Sequence, residues 1–264
     1  MIHEILERFF VQSWLSFKAL FGWIEPKMYI FVKVINPIFQ LIFFCLLAKY
    51  CYNVDDLTPW VIGNSFLLCI YNTIFGIGSV FMVERYYGTL KMVIASPSNK
   101  FFNFFQRGFV HIIDSLFTVI IGLVVGKLLF NVNFENVNIG LLLLIIVIAM
   151  FSAVGFGLFI GSLGLIISEM NLVMNICAML LLAFSGANFP VDDMLKIFQV
   201  ISNCLPITRS ISLTNLLIEG QGLQNTYHLL IEEIAVGIIY AILGYILIKV
   251  TETLAKKKAS LDVY

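Results

Sequence analysis

Long apolar segments constrain the fold of this chain more than any other feature. A helix needs about 20 apolar residues to cross the ~30 Å hydrocarbon core of a bilayer, and six segments have about that length or more. Hydrophobic residues make up 60% of the 264 positions and charged residues only 12%, which is too apolar for a soluble globule to bury. We therefore predict an all-α polytopic membrane protein with six transmembrane helices. These lie at residues 28–49, 59–83, 104–130, 139–167, 170–188 and 228–250.

The segment before the first span differs from the six. Over residues 4–25, apolar side chains recur at near-helical spacing and charged or small polar residues lie between them. Trp14 and Trp23 are aromatic residues of the kind that favour the membrane interface, and Glu25-Pro26 closes the pattern. Residues 1–27 are therefore predicted to hold an amphipathic helix that lies in the headgroup plane.

Basic residues mark one side of the membrane. Twelve of the 16 Lys and Arg residues lie before or at the start of the first span, around the loop after the second, or at and beyond the end of the sixth. By the positive-inside rule, both termini are cytoplasmic, and a cell membrane is the expected location. We expect a single transmembrane domain over 1–264, with the six spans in 28–250 and a cytoplasmic tail at 251–264. The twelve are Arg8, Lys18, Lys27, Lys33, Arg85, Lys91, Lys100, Arg107, Lys249, Lys256, Lys257 and Lys258.

No pattern for nucleotide binding, metal binding or catalysis is present in the sequence. Gly122 to Leu128 resembles a P-loop, but it is one residue short and carries Leu where a hydroxyl must reach magnesium. Gly122 and Gly126 are better interpreted as a small-residue helix contact, like Gly157 and Gly161. The three histidines have no metal-ligand spacing, so we predict no metal site and no catalytic residues.

The five cysteines show no CxxC spacing, and they are predicted to be small core residues, while a pairing of Cys51 with Cys204 stays open. Together with the apolar composition, this excludes a secreted disulfide scaffold, a disordered tail and a nucleic-acid partner.

Ionisable residues inside the spans are few. Asp114 lies two to three turns into the third span, one helical turn after His111, so a hydrogen bond between the two side chains is possible. Both are candidate intramembrane polar residues, because charge in hydrocarbon is costly. An ion-coupled carrier usually places several such groups near the midplane, and the sequence does not favour a proton relay.

The loop between the second and third spans has the most specific sequence. Charged residues lie at its ends, and Leu90, Met92, Val93 and Ile94 form an apolar stripe between them. Thr89 is a candidate helix cap, and Ser96-Pro97 is expected to end the helix. This predicts a short amphipathic helix that inserts into the groove of a partner, or alternatively anchors the loop against lipid.

These residues carry a family resemblance. Glu84-Arg85-x-x-Gly88-Thr89-Leu90, followed by Pro97, resembles the cytoplasmic signature of the membrane subunit of type-2 ABC exporters. A second stretch, Phe184 to Pro190 and then Leu205 to Thr208, resembles the short outer segment of that family between the fifth and sixth spans. The six spans, the interfacial helix and the inside termini match as well, so the resemblance covers nearly the whole chain.

The resemblance implies a mechanism and partners. Two six-span subunits, identical or different, would each dock through the signature loop on a separate ATPase subunit. ATP and Mg would be bound there, and this chain would bind no cofactor. The position after Leu90 is Lys91, where many relatives carry an acid, so pairing there is expected to suit a particular partner. The residues implied in coupling are Glu84, Arg85, Gly88, Thr89, Leu90, Lys91 and Pro97.

The family pattern also implies an outer gate, a re-entrant helical segment at residues 190–219. A substrate path beside it is expected on the second and fifth spans, although core packing is an alternative for each residue. The expected gate residues are Gly186, Phe189, Pro190 and Pro206, and those of the path are Phe66, Tyr71, Asn72, Phe75, Met174, Met179 and Phe184.

We therefore expect the permease subunit of an exporter of hydrophobic or amphipathic compounds, such as drugs, antibiotics, peptides or lipid-like metabolites. Two alternatives stay open: export of a lipid-linked polysaccharide by the same fold, and a carrier or channel that needs no ATPase. Capture of an ATPase subunit separates the last from the other two.

Overall fold

The computed structural model describes residues 2–22, 25–96, 99–132, 134, 137–167, 169–220 and 227–258, and within these ranges it is helical with no strand. Pro97 and residues 259–264 of the predicted tail lie outside the described part. The α-helices are α1 (Ile2–Phe21), α2 (Pro26–Ile30), α3 (Asn36–Tyr52), α4 (Thr58–Tyr86), α5 (Leu90–Ala95), α6 (Lys100–Phe130), α7 (Ile139–Leu163), α8 (Met170–Phe184), α9 (Lys196–Cys204), α10 (Thr208–Ile218) and α11 (Tyr227–Lys258).

Among the residues that the structure describes, five helical stretches are long and apolar enough to cross a membrane: Lys27–Tyr52, α4, α6, α7 and Tyr227–Leu254 within α11. The prediction of an all-α polytopic membrane protein is therefore confirmed. The predicted boundaries differ mainly where polar residues continue a helix. α6 begins at Lys100 rather than 104, and α11 includes the first eight residues of the predicted tail.

α8, which corresponds to the predicted fifth span, is a shorter apolar helix of 15 residues, about 22 Å long. Arg85, at the end of α4, donates to the carbonyl oxygen of Ile167 just before α8. Trp60, at the start of α4, donates to the carbonyl oxygen of Asn188 just after α8. The chain from Ile167 to Asn188 therefore runs between the two ends of α4, which we call the Arg85 end and the Trp60 end.

The first span contains a π-helical turn at Phe31–Ile35, between α2 and α3. Pro37 has no N–H to donate to the carbonyl of Lys33, and a π turn accommodates this break in the hydrogen-bond ladder. The span is continuous in direction but locally widened at Lys33.

α4 is the central helix, packed mainly against α6 and α7. Small residues allow this close approach: a Cβ on Gly122 or Gly126 would meet Ser65 or Val61 of α4. A Cβ on Gly157 or Gly161 of α7 would also contact α4, at Ile77 or Phe81. The predicted helix contacts are confirmed, and the P-loop-like stretch is ordinary helix in α6.

α1 confirms the predicted N-terminal helix and packs along α6. The Ser13 hydroxyl lies 2.6 Å from the carbonyl oxygen of Gln106, whose side-chain amide donates back to Phe9. The ring of Phe9 packs against Phe102, Phe105 and Phe109 of α6. α1 also exposes apolar side chains, including Trp14 and Phe10, the latter beside Phe109.

All five cysteines are free thiols, and Cys45 and Cys69 are buried as predicted for core residues. Cys51 and Cys204 are exposed and form no disulfide.

Candidate functional site

The connection between α4 and α6 is built around a sharp turn. Gly88 has φ +69°, a left-handed conformation that costs an L side chain free energy, and a Cβ there would meet no atom within 4 Å. The turn reverses the chain after α4 and allows α5 to begin at Leu90. Residues 84–96 form what we call the 84–96 segment.

Glu84 fixes the first part of this segment. Its carboxylate forms an ion pair with Arg107 of α6 and accepts a hydrogen bond of 2.5 Å from the Thr89 hydroxyl. Thr89 occupies the N-cap position of α5 as predicted, but its side chain makes no capping hydrogen bond, because the hydroxyl donates back to Glu84. The acid, rather than the cap, closes the turn.

Arg85 ties the segment to the α7–α8 connection. One guanidinium nitrogen, Nη1, donates to the carbonyl oxygens of Gly164 at 3.1 Å and Ile167 at 2.6 Å. These carbonyls lie beyond the end of α7, where no further helical turn satisfies them. The Arg85 side chain thereby joins the second span to the start of the fifth.

The apolar stripe of α5 does not point outward as a whole, which corrects the prediction of an apolar insertion surface. Leu90, Val93 and Ile94 are buried among Phe81, Phe104 and Ile248 of the bundle's own core. Positions 90, 93 and 94 share one helical face, whereas position 92 lies off that face. The exposed large side chains of the segment are Tyr86 at 84%, Tyr87 at 67% and Met92 at 75%.

The far end of the segment is also held. Lys100, at the start of α6, is nearly buried, donates to the carbonyl oxygen of Ser96 and lies 3.6 Å from the carboxylate of Glu252 in α11. α5 ends at Ala95 with Ser96 as its C-cap, close to the predicted end. Lys91 lies in the first turn of α5, and its side chain is outside the described part, as is the whole of Pro97.

The residues of the predicted outer gate lie at the Trp60 end. After α8, Gly186 turns with φ +82°, and the Asn188 side chain accepts from Asn64 at 3.1 Å. Phe189 and Pro190 are exposed, whereas Pro206 is buried. A short 3-10 turn at Val191–Asp193, then α9 and α10, form the predicted helical segment between the fifth and sixth spans.

Glu233 holds this segment in place. The carboxylate is fully buried, accepts from the backbone N–H of Ile207 at 2.6 Å and is hydrogen-bonded by the Ser152 hydroxyl. Ile207 has φ +65°, an unfavourable conformation for a β-branched residue, and it starts α10. The sequence places Glu233 at the start of the sixth span but gives no indication of its partner 26 residues earlier.

The predicted path residues are not brought to one surface. Phe66 and Met174 are buried in the core, while Met179 is exposed on α8. Tyr71 donates to the carbonyl oxygen of Ala178 on α8, and Phe75 and Phe184 pack partly buried against the same core. Asn72 lies on another face, where its side-chain amide donates to Thr118 of α6.

The two predicted polar residues of the third span do not bond to each other. His111 is buried against the rings of Phe17 and Phe21, and neither of its ring nitrogens has a hydrogen-bond partner among the described residues. The carboxylate of Asp114 instead pairs with Lys33 at 2.7 Å. Sequence reasoning missed this pair because the two residues lie 81 positions apart on different spans.

These features define the class of protein: a multi-pass helical membrane protein of the permease type, with a braced short helix at one end and a folded helical segment at the other. The family model of the ABC-2 type transporter matches residues 12–215, more than three quarters of the chain. The chain belongs to this family, whose domain is the membrane permease component of type-2 ABC transporters. The predicted resemblance is confirmed. No curated protein matches the chain at a significant level.

Proposed function

We propose that this chain is the membrane subunit of an ATP-driven exporter that moves a hydrophobic or amphipathic compound outward. A second permease subunit and two ABC ATPase subunits would complete the assembly, with ATP and Mg bound on the ATPases. Family membership supports a transmembrane ABC transporter subunit. The direction of transport, the cargo and the stoichiometry are the proposal.

The observation that carries the proposal is the construction of the 84–96 segment. Glu84, Arg85 and Lys100 attach it to α6, to the α7–α8 connection and to α11. Its buried face is anchored in the core, while Tyr86, Tyr87 and Met92 stay exposed. A rigid segment with an exposed aromatic tip is suited to receive force from a partner without deforming.

This anatomy assigns different roles to the predicted coupling residues. Glu84, Arg85, Thr89 and Leu90 shape and attach the segment, and Gly88 supplies its turn. Contact with the ATPase would fall to the exposed side chains, of which the sequence pattern singled out Met92 but neither Tyr86 nor Tyr87. The helical spacing of Leu90, Val93 and Ile94 was the sequence signal that could have distinguished the buried residues of this segment from the exposed ones.

Force applied there would reach the other end through α4 and α8. α4 has 29 residues, about 43 Å of continuous helix. α8 is tied to α4 near both of its ends, by Arg85 and by Trp60. ATP binding on the partners would shift these helices only if the ATPase fits two arrangements with different affinity.

The test is copurification with the ATPase subunit. Tyr86→Ala combined with Tyr87→Ala should reduce ATPase capture at least about fivefold, because exposed aromatic side chains commonly dominate interfaces. Tyr50→Ala is the matched control, since Tyr50 is 88% exposed at the end of α3 nearest Trp60. Undiminished capture by the double variant would contradict the docking role. Transport by the purified permease alone would favour the ATPase-independent carrier.

The orientation has a separate test. In a cysteine-free variant, Met92→Cys should react with a membrane-impermeant maleimide only after the cytoplasmic face is opened, whereas Lys196→Cys should react in intact cells. Both positions are exposed. The reverse labelling pattern would overturn the proposed topology.

A further inference from the structure

Two adjoining cavities lie at the Trp60 end, between α3, α4, α8 and the chain after α8. One has a volume of about 580 Å³ and the other about 280 Å³. They share the lining residues Tyr52, Trp60, Ala183 and Phe189 and therefore lie side by side; together we call them the aromatic cavity. The combined volume falls in the range of pockets for small organic ligands, roughly 300–1,000 Å³.

The larger part of the aromatic cavity has aromatic walls and one acid. Tyr52 and Trp60 pack with ring centroids 5.5 Å apart, and Phe184 and Phe198 with centroids 5.0 Å apart. Asp193 lines the same space. Aromatic rings together with a carboxylate are the usual recognition elements for a quaternary ammonium group.

The smaller part is almost entirely apolar. Beyond the shared residues, its walls come from the outer turns of α3 and the last turns of α8. The residues that line this part only are Phe44, Leu47, Ala48, Cys51, Leu182 and Asn188. An alkyl chain placed here would be removed from water while its head group remained beside the aromatic rings.

The walls are held in position by hydrogen bonds. The Trp60 indole N–H donates to the carbonyl oxygen of Asn188 at 3.2 Å, and this bond fixes a ring that lines both parts of the cavity. The Asn188 amide is itself bonded to Asn64 and to the carbonyl oxygen of Leu182. These contacts fix the wall formed by the chain after α8.

No cationic side chain of the described residues pairs with Asp193 or with the aromatic rings of this cavity. Within the described ranges, cation–π contacts occur at Trp14, Phe21 and Tyr245, and none involves a ring of the aromatic cavity. Asp193 forms no ion pair with any described residue, although Lys196 follows three positions later. An exposed carboxylate in a space lined by aromatic rings is complementary to a cationic head group.

We propose that the aromatic cavity binds a cationic amphiphile, a single alkyl chain with a quaternary or tertiary ammonium head. The head group would lie against Trp60 and Tyr52 near Asp193, and the chain would enter the apolar part. The inference deepens the proposed function, on which it rests for the role of the ligand as cargo.

The test measures binding to the intact permease. Trp60 is one of three tryptophans, so Trp14→Phe with Trp23→Phe leaves it as the sole fluorescent reporter. In nanodiscs of phosphatidylglycerol and phosphatidylethanolamine, octyltrimethylammonium should quench or shift Trp60 emission saturably. Its Kd should be about tenfold lower than those of octyl glucoside and octyl sulfate, which share the chain but not the head group.

Matched acidic variants separate the carboxylate from general surface charge. Asp193→Asn should raise the Kd of octyltrimethylammonium about three- to tenfold and leave that of octyl glucoside unchanged. Asp192→Asn is the control, because Asp192 is a neighbouring exposed acid that does not line the cavity. Equal effects of the two variants, or equal Kd values for the three head groups, would overturn the proposal.

The same nanodisc preparation also tests two other possible occupants of the aromatic cavity, a membrane lipid and a second copy of the chain. Displacement of the probe by phosphatidylcholine at the concentration of a bilayer component would assign the cavity to lipid. A disulfide between Cys51 residues of two copies that abolishes probe binding would assign it to a subunit interface. Either result overturns the proposal. Probe binding by a permease that captures no ATPase would retain this site and remove the exporter role.

Discussion

Because the ion pair between Lys33 and Asp114 is largely buried, we expect the free energy of unfolding to fall when either charge is removed alone. Lys33 Nζ and Asp114 Oδ2 lie 2.7 Å apart, with side chains 12% and 15% exposed. Asn72 accepts from Lys33 at 3.1 Å, and the Tyr29 hydroxyl donates to Asp114 at 3.3 Å. Removing one partner of a buried pair costs about 3 kcal/mol, because the other charge is left without compensation. Replacing both charges with neutral side chains removes that penalty, so the double change should cost only about 1 kcal/mol.

A double-mutant cycle measures this difference. Lys33→Met and Asp114→Asn should each lower the midpoint of thermal unfolding by roughly 6–12 °C, given about 2–4 °C per kcal/mol for a chain of this size. Unfolding can be followed in detergent by size-exclusion chromatography after heating. The double variant should recover more than half of either loss. Additive losses would refute the reasoning, since they would show that the two charges do not compensate each other.

The exposed pair of Lys49 with Asp55 is the matched control for that cycle. Its charged atoms lie 3.8 Å apart and both side chains are exposed to a large extent. Solvent screens such a pair, so the same cycle there should show no measurable coupling.

Three further sets of substitutions test backbone geometry, helix packing and a buried hydrogen bond. The effect of each on stability is measured as the change in the midpoint of thermal unfolding in detergent. Gly88→Ala should destabilise by about 1 kcal/mol through its positive φ, and Gly88→Asn by less; equal losses would point to another cause. Gly126→Leu should cost about 1–3 kcal/mol by forcing α6 away from α4, whereas Gly140→Leu at the exposed start of α7 should cost little. Glu233→Leu should be more destabilising than Glu233→Gln by about 1–3 kcal/mol, because only Gln still accepts from the buried N–H of Ile207. Equal midpoints for the two Glu233 variants would show that this hydrogen bond contributes nothing.

The spans were predictable because a helix in hydrocarbon needs a certain length and an apolar composition, and both can be read from a continuous stretch of sequence. The ends of the helices were not predictable in this way, since α6 begins at Lys100 and α11 continues to Lys258. Polar residues beyond the hydrocarbon continue the helical backbone hydrogen bonds, so a helix can extend past the end of the apolar run that a hydropathy pattern detects. α8 is the opposite case: its 15 helical residues are fewer than the apolar run, because the chain turns at Gly186.

For the two sites, the sequence identified some of the residues but not the distant residues that they contact. Gly88 and the charged ends of the 84–96 segment are visible in the sequence, but their partners are not. Arg85 bonds to backbone carbonyls, which any residues at 164 and 167 would supply, so no side-chain pattern could reveal the contact. Lys33 and Asp114 meet across two spans, and Lys33 lies within a π turn that its sequence pattern does not indicate.

The positions of these contacts connect the two ends of the molecule. Arg85 fixes the start of α8 to α4, and Trp60 fixes the chain beyond its end to the same helix. The aromatic cavity has walls from α3, α4 and α8, so its shape depends on how α8 lies along α4. A partner that displaces the 84–96 segment changes how α8 lies along α4 only if it breaks the Arg85 contacts. If α4 and α8 move together, the cavity changes only where these two helices move against α3. In both cases ligand affinity depends on the state of the partner only if the cavity differs between the two states. Arg85 therefore couples the position of the 84–96 segment to the wall that α4 and α8 form together.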